Sequence, residues 1–175
     1  MKFTITREAL LKPLQLVAGV VERRQTLPVL SNVLLEVQGD KLSLTGTDLE
    51  VEMVGRAQLL EPGVDGEITV PAKKLMDICK SLPDQSTIEI SQDEHKVQLS
   101  TGRSKFVLSS LPANEFPNVD EIEAAAKVNV PQAQLRRIID RTAFAMAQQD
   151  VRYYLNGMLW EVQEGQLRSV ATDGH

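Results

Sequence analysis

Cysteine is nearly missing. Cys79 is the one cysteine in 175 residues, which excludes an internal disulfide and fits a reducing cytosol. Aromatic residues are only 4% of the chain, so a core must be assembled mainly from Leu, Val, Ile, Ala and Met. No apolar run approaches the roughly 20 residues that cross a bilayer, and the polar start Met1-Lys2-Phe3-Thr4 lacks the apolar stretch of a signal peptide. A cytoplasmic protein without a membrane partner is expected. What is present, 42% hydrophobic and 25% charged residues, is the make-up of an ordinary globular chain holding one medium domain, or one domain and part of another.

Catalytic and ligand-binding signatures are also missing. The chain has no Gly-x-x-x-x-Gly-Lys-Ser/Thr loop, no His-Glu-x-x-His and no cysteine pair for zinc. His95 stands in the polar stretch Asp93-Glu94-His95-Lys96 and reads as exposed, whereas Cys79, among Leu75, Met76, Ile78 and Leu82, reads as a buried structural thiol. Thr47-Asp48 and Thr172-Asp173 suggest side-chain-closed turns rather than a paired-carboxylate site. A non-enzyme with no metal and no cofactor is expected.

Periodicity supplies the architecture. Phe3 to Ile5 alternates as a strand, and Thr6 can cap a helix from Arg7 to Val21, with a kink or irregular turn expected at Pro13. Val33 to Val37, Lys41 to Thr45, Val51 to Leu59 and Glu67 to Val70 read as strands, the first two joined at Gly39-Asp40. Pro71 to Lys80 reads as a second helix with Pro71 in its first turn. Strands then follow at Thr87 to Ser91, Lys96 to Ser100 and Lys105 to Ser109, before a linker from about Pro112 to Ala126. This is an α+β domain spanning residues 1–126.

The pattern then restarts at an offset of 125 residues. Lys127 to Val130 reads as a strand and Pro131 opens a helix with the stripe Leu135, Ile138, Ile139 and Thr142. Leu10, Ala18, Leu30, Leu34, Glu36-Val37-Gln38, Leu42 and Thr47-Asp48 recur at the same offset, 10 identities in 48 gap-free pairs. Helix, hairpin and turn keep one register, so the repeat is genuine and residues 127–175 are expected to be the incomplete start of a second domain.

Charge is distributed unevenly. The net charge is −5, yet residues 6–24, 71–82 and 132–142 each carry +2, from Arg7, Lys12, Arg23, Arg24; Lys73, Lys74, Lys80; and Arg136, Arg137, Arg141. Basic helices on an otherwise acidic protein point to a surface for a polyanion, held through phosphates without reading bases.

Several stretches then carry a family likeness: Leu10-Leu11-Lys12-Pro13-Leu14, Leu44-Thr45-Gly46-Thr47-Asp48-Leu49-Glu50, Phe116-Pro117-Asn118, Gln149-Asp150-Val151-Arg152-Tyr153-Tyr154-Leu155-Asn156-Gly157 and Val170-Ala171-Thr172-Asp173-Gly174-His175. Together they resemble the bacterial DNA polymerase III β subunit, the sliding clamp, in its gammaproteobacterial form. The resemblance implies a DNA-clamp fold of repeated domains, each with two helices packed on antiparallel sheets. It implies a non-catalytic processivity factor that encircles duplex DNA as a head-to-tail homodimer ring. Its partners would be double-stranded DNA, the DNA polymerase III core, the clamp loader, and other polymerases and repair proteins that dock through a short linear motif. By the same resemblance, Arg24, Lys73, Gln149, Tyr153 and Tyr154 would contact DNA. Arg152, Leu155, Thr172, Gly174 and His175 would line part of the partner-peptide groove. Phe106 and Leu108, flanked by Lys74, Arg103 and Lys105, would form a dimer face. From the residues alone, one of Tyr153 and Tyr154 could equally be a core ring, and Lys105 to Leu108 could be a strand with one face in its own core.

Overall fold

The computed structural model describes residues 1–21, 27–117 and 127–175. The chain divides into two compact units, Met1–Glu121 and Ile122–His175.

In the first unit the expected α+β order is present. β1 (Lys2–Thr6) leads into α1 (Arg7–Val17), followed by β2 (Asn32–Gln38), β3 (Lys41–Thr47), β4 (Glu52–Gln58) and β5 (Gly66–Pro71). Then come α2 (Ala72–Ser81), β6 (Thr87–Asp93), β7 (Lys96–Thr101) and β8 (Ser104–Ser109). Two four-stranded antiparallel sheets result, in the orders β1-β6-β7-β8 and β4-β3-β2-β5. α1 lies over β3 and β4, α2 contacts β2 and β5, and the helices pack against each other. Leu10, Leu14 and Val17 of α1, Leu75 and Cys79 of α2, and alternate strand residues such as Leu35, Leu44, Ile88 and Leu99 form one buried cluster. Apart from Phe3 and Cys79 the buried members of that core are aliphatic, as the scarcity of aromatics requires.

Two local expectations at α1 change. The Thr6 hydroxyl does cap the helix, accepting from the Ala9 N–H at 3.3 Å. However, the helix ends at Val17, and Gly19, Val20 and Val21 continue in single turns that donate to the carbonyls of Leu16, Val17 and Ala18. Glycine and two β-branched residues in succession hold a helix poorly. At Pro13 there is no break. A side chain at Gly55 would put its Cβ 2.7 Å from Pro13 Cβ and 3.2 Å from Pro13 Cα, so the missing side chain on β4 lets the helix seat its proline directly on the sheet. Pro71 ends β5 and stands at the N-cap of α2, not inside its first turn.

The second unit contains α3 (Gln132–Thr142) and a hairpin of β9 (Leu159–Gln163) and β10 (Gln166–Val170). Residues 127–130, expected as a strand, carry no ladder. β1 exists by pairing with β6, and an unpaired strand has no partner for its backbone groups. The repeat otherwise holds residue by residue. α3 is α1 displaced by 125 at both ends, the single-turn helix Pro28–Ser31 recurs as Tyr153–Asn156, and the pairs Leu34 with Thr45 and Gln38 with Lys41 recur as Leu159 with Val170 and Gln163 with Gln166.

Candidate nucleic-acid interface

The cations of the helices are not equivalent. Arg7 is spent inside the first unit: Nε donates to the Cys79 carbonyl at 2.8 Å, and Nη1 reaches Asp84 Oδ1 at 2.8 Å and Glu8 Oε1 at 3.0 Å. Glu8 also accepts the Gln85 N–H, and that bond, ahead of its neighbour Arg7, holds its carboxyl below the ordinary value. Arg7 thus ties the start of α1 to the end of α2 and is withdrawn from the basic surface its charge suggested. Lys12, Lys74 and Lys80 remain exposed and make no ion pair among the described residues. Lys73 is exposed too, but its Nζ donates to Asp77 Oδ2 at 2.7 Å. In the second unit Arg137 and Arg141 are exposed and unpaired among the described residues, whereas Arg136 Nε lies 3.6 Å from Asp140 Oδ2. Arg24, and Arg23 beside it, lie outside the described residues, as does the stretch 118–126 of the expected linker.

Tyr153 and Tyr154 are 82% and 69% exposed and meet edge to face at 6.2 Å between centroids. Neither is a core ring in this chain. Gln149, four residues earlier, is exposed and holds a left-handed φ of 56°.

The residues assigned to a peptide groove gather at one end of the second unit. Arg152 Nη2 donates to the Asp173 carbonyl at 3.4 Å, Gly174 N–H donates to Thr172 Oγ1 at 3.0 Å, and His175 N–H donates to Asp173 Oδ1 at 3.1 Å. Leu155 is half-buried and its N–H donates to the Arg152 carbonyl at 2.8 Å. The residue that organises them is Asp150, to which the sequence motifs assign no role. Asp150 holds the Arg152 guanidinium through Nε at 3.0 Å and Nη2 at 2.9 Å and accepts its N–H at 2.7 Å, while the Asn156 side chain bonds the Asp150 backbone at both ends. The Arg152 contacts hold the Asp150 carboxyl down to about 2. An Asp two residues before an Arg was the available signal.

β8 is an outer strand of its sheet. Leu108 is buried and Phe106 half-buried, both against the unit's own core, whereas Val107 points outward at 60% exposure. Arg103 and Lys105 are exposed at its start and Lys74 is exposed on α2. Much of the apolar side chain at this edge is therefore already engaged.

The remaining candidates do not converge on a chemical site among the described residues. His95 is exposed, and burial pushes the Cys79 thiol up to about 11. The Asp48 carboxylate accepts the N–H groups of Val51 at 2.7 Å and Glu50 at 2.9 Å, closing a turn as expected. No described helix is long and apolar enough to cross a membrane.

Residues 1–120 match the family model of the DNA polymerase III beta subunit, N-terminal domain, and residues 129–175 match that of its central domain. The chain is 70% identical over its whole length to the beta sliding clamp of Pseudomonas putida and 53% identical to that of Escherichia coli K12, covering 48% of each. It thus spans about half the length of the curated relatives it matches. Among solved structures, the DNA polymerase III subunit beta of Pseudomonas aeruginosa superimposes with a TM-score of 0.97 at 67% identity, over all of this chain and 48% of that one. The Caulobacter crescentus pol III beta does so with a TM-score of 0.91 at 44% identity, again over all of this chain and 48% of that one. With two successive domain models matched in order on a clamp-like fold, the chain belongs to the DNA polymerase III beta subunit family.

Proposed function

We propose that this chain supplies the first part of a sliding clamp, a non-catalytic ring that encircles duplex DNA and tethers the replicative polymerase in the cytoplasm. Residues 1–126 serve as one clamp domain and residues 127–175 as the opening part of the next. The observation that carries the reading is the set of exposed cations on the helices of a register-true repeat: Lys12, Lys73, Lys74 and Lys80 in one copy, Arg136, Arg137 and Arg141 in the other. Separated point charges bind phosphate without reading sequence, which a moving ring requires. Arg24, Lys73, Gln149, Tyr153 and Tyr154 contact DNA in this reading. The Arg152, Leu155, Thr172, Gly174 and His175 cluster forms part of the groove for a linear motif of polymerases, clamp loader and repair proteins. The β8 edge, with Phe106, Leu108, Lys74, Arg103 and Lys105, meets a second subunit.

Duplex binding measured by fluorescence anisotropy over a range of salt tests it. The chain is expected to bind unrelated duplexes alike, with affinity falling as salt rises. Lys73→Glu with Lys80→Glu should weaken binding at least tenfold and flatten the salt slope by about 2, close to one for each phosphate no longer neutralised. Unchanged affinity and slope in the double variant would exclude the helix face as the DNA surface.

A further inference from the structure

The helix cations assigned to DNA include two with intramolecular competitors. On α2 the Lys73 ammonium lies 2.7 Å from Asp77 Oδ2, one helical turn away, and both side chains are about half exposed. On α3, described by itself, Arg136 faces Asp140 at 3.6 Å with the same four-residue spacing. Neither pair is explained as a stabiliser: exposed pairs of this kind contribute little to folding. Neither acid serves as a helix N-terminal anchor, since Asp77 is the sixth residue of α2 and Asp140 the ninth of α3. Lys74 and Lys80 lie on the same helix, and the three lysines together hold the Asp77 carboxyl below its ordinary value, Lys73 first, so it stays charged throughout the neutral range.

We propose that Asp77, and more weakly Asp140, act as counter-charges that limit phosphate binding: each carboxylate occupies the cation that DNA would otherwise engage, so the contact forms only transiently and the protein moves along the duplex. This inference rests on the DNA-binding reading above. A phosphate arriving at Lys73 must displace a carboxylate already at hydrogen-bond distance, and it also meets the negative charge left behind. Asp77 is thus a positioning residue that acts through Lys73. Asp140 holds Arg136 at a longer distance and should restrain it less.

The test measures duplex affinity of the chain against salt for wild type, Asp77→Asn, Lys73→Gln, the double variant, and Glu61→Gln as a control that removes one exposed carboxylate from the loop between β4 and β5. Asp77→Asn is expected to bind about 3- to 10-fold tighter at low salt, with a salt slope steeper by about 0.9, the value for one further phosphate contact. In the Lys73→Gln background the same change should produce no more than the Glu61→Gln control, because the cation it releases is gone. If Asp77→Asn matches Glu61→Gln in both affinity and slope while wild type still binds in a salt-dependent manner, the counter-charge role is overturned and the DNA reading stands. If wild type shows no salt-dependent duplex binding, the DNA reading fails and this inference falls with it.

Discussion

Leu49 and Gly174 hold the same place in the two copies of the repeat, and both have left-handed backbone, at φ 78° and 92°. The surrounding bonds are also the same. Thr47 Oγ1 accepts the Leu49 N–H and Asp48 Oδ1 the Glu50 N–H, as Thr172 and Asp173 do for Gly174 and His175. The turn therefore dictates the conformation whatever residue stands in it, and a leucine there is strained by its Cβ where a glycine is not. Leu49 is 60% exposed, so removing its side chain sacrifices little packing. Leu49→Gly is expected to raise the stability of the first unit by roughly 0.5–1 kcal/mol in urea denaturation, the relief of strain outweighing the added freedom of the unfolded chain. A lower midpoint would show that the side chain contributes packing exceeding that strain. The Thr-Asp pair was legible in the sequence because both residues close turns with their own side chains; the strain at Leu49 was not, since it shows only in the φ of the folded backbone.

At the scale of the element, α1 shows how a sequence rule yields to a neighbour. Pro13 removes a backbone donor and predicts a disturbed helix. Gly55 on β4 allows the helix to approach so closely that packing compensates, and Gly46 on β3 leaves similar space for Val17, whose Cγ1 would lie 2.7 Å from an added Cβ. Gly55→Ala should cost about 1–3 kcal/mol, because its neighbours include Pro13 backbone atoms that cannot rotate aside. Equal denaturation midpoints for the variant and the parent would refute this seating of α1 on the sheet. The stripe Leu10, Leu14 and Val17 was legible from its spacing, since helical period alone places those residues on one face. The helix's early end follows from the local run Gly19, Val20 and Val21, whereas the uninterrupted passage through Pro13 was not legible, because it depends on Gly55, far along the chain. The same holds for Arg7, whose partners lie at Cys79 and Asp84. Its charge was visible, its commitment was not.

For the whole molecule, the two units differ in how much they bury. The first has a continuous core from Phe3 to Leu108, whereas no described residue of 127–175 is buried. Phe144, Tyr153, Leu159 and Val162 are all more than half exposed. Leu159 and Val162 stand where the first unit has Leu34 and the buried Val37. Amides of β9, β10 and α3 are therefore expected to exchange with solvent at least tenfold faster than those of β2, β3 and α1, under conditions where opening limits exchange. Equal protection in the matching elements would mean that the second unit gains order from interactions its burial does not reveal.

The amino-acid sequence by itself determined the periodic elements, the α+β class, the 125-residue repeat and the placement of basic residues on helices. Each of these depends on local spacing or on the chain's likeness to itself, and both can be read without folding it. The tertiary structure alone decided which cations are available. Arg7 is bound by the end of α2, 72 residues away, whereas Lys73 with Asp77 and Arg152 with Asp150 are neighbours in sequence whose pairing became definite only once the backbone was in place. A charge is a property of a residue, but its availability to a phosphate or a peptide depends on what lies within hydrogen-bond distance, and that is set by where the fold carries each side chain.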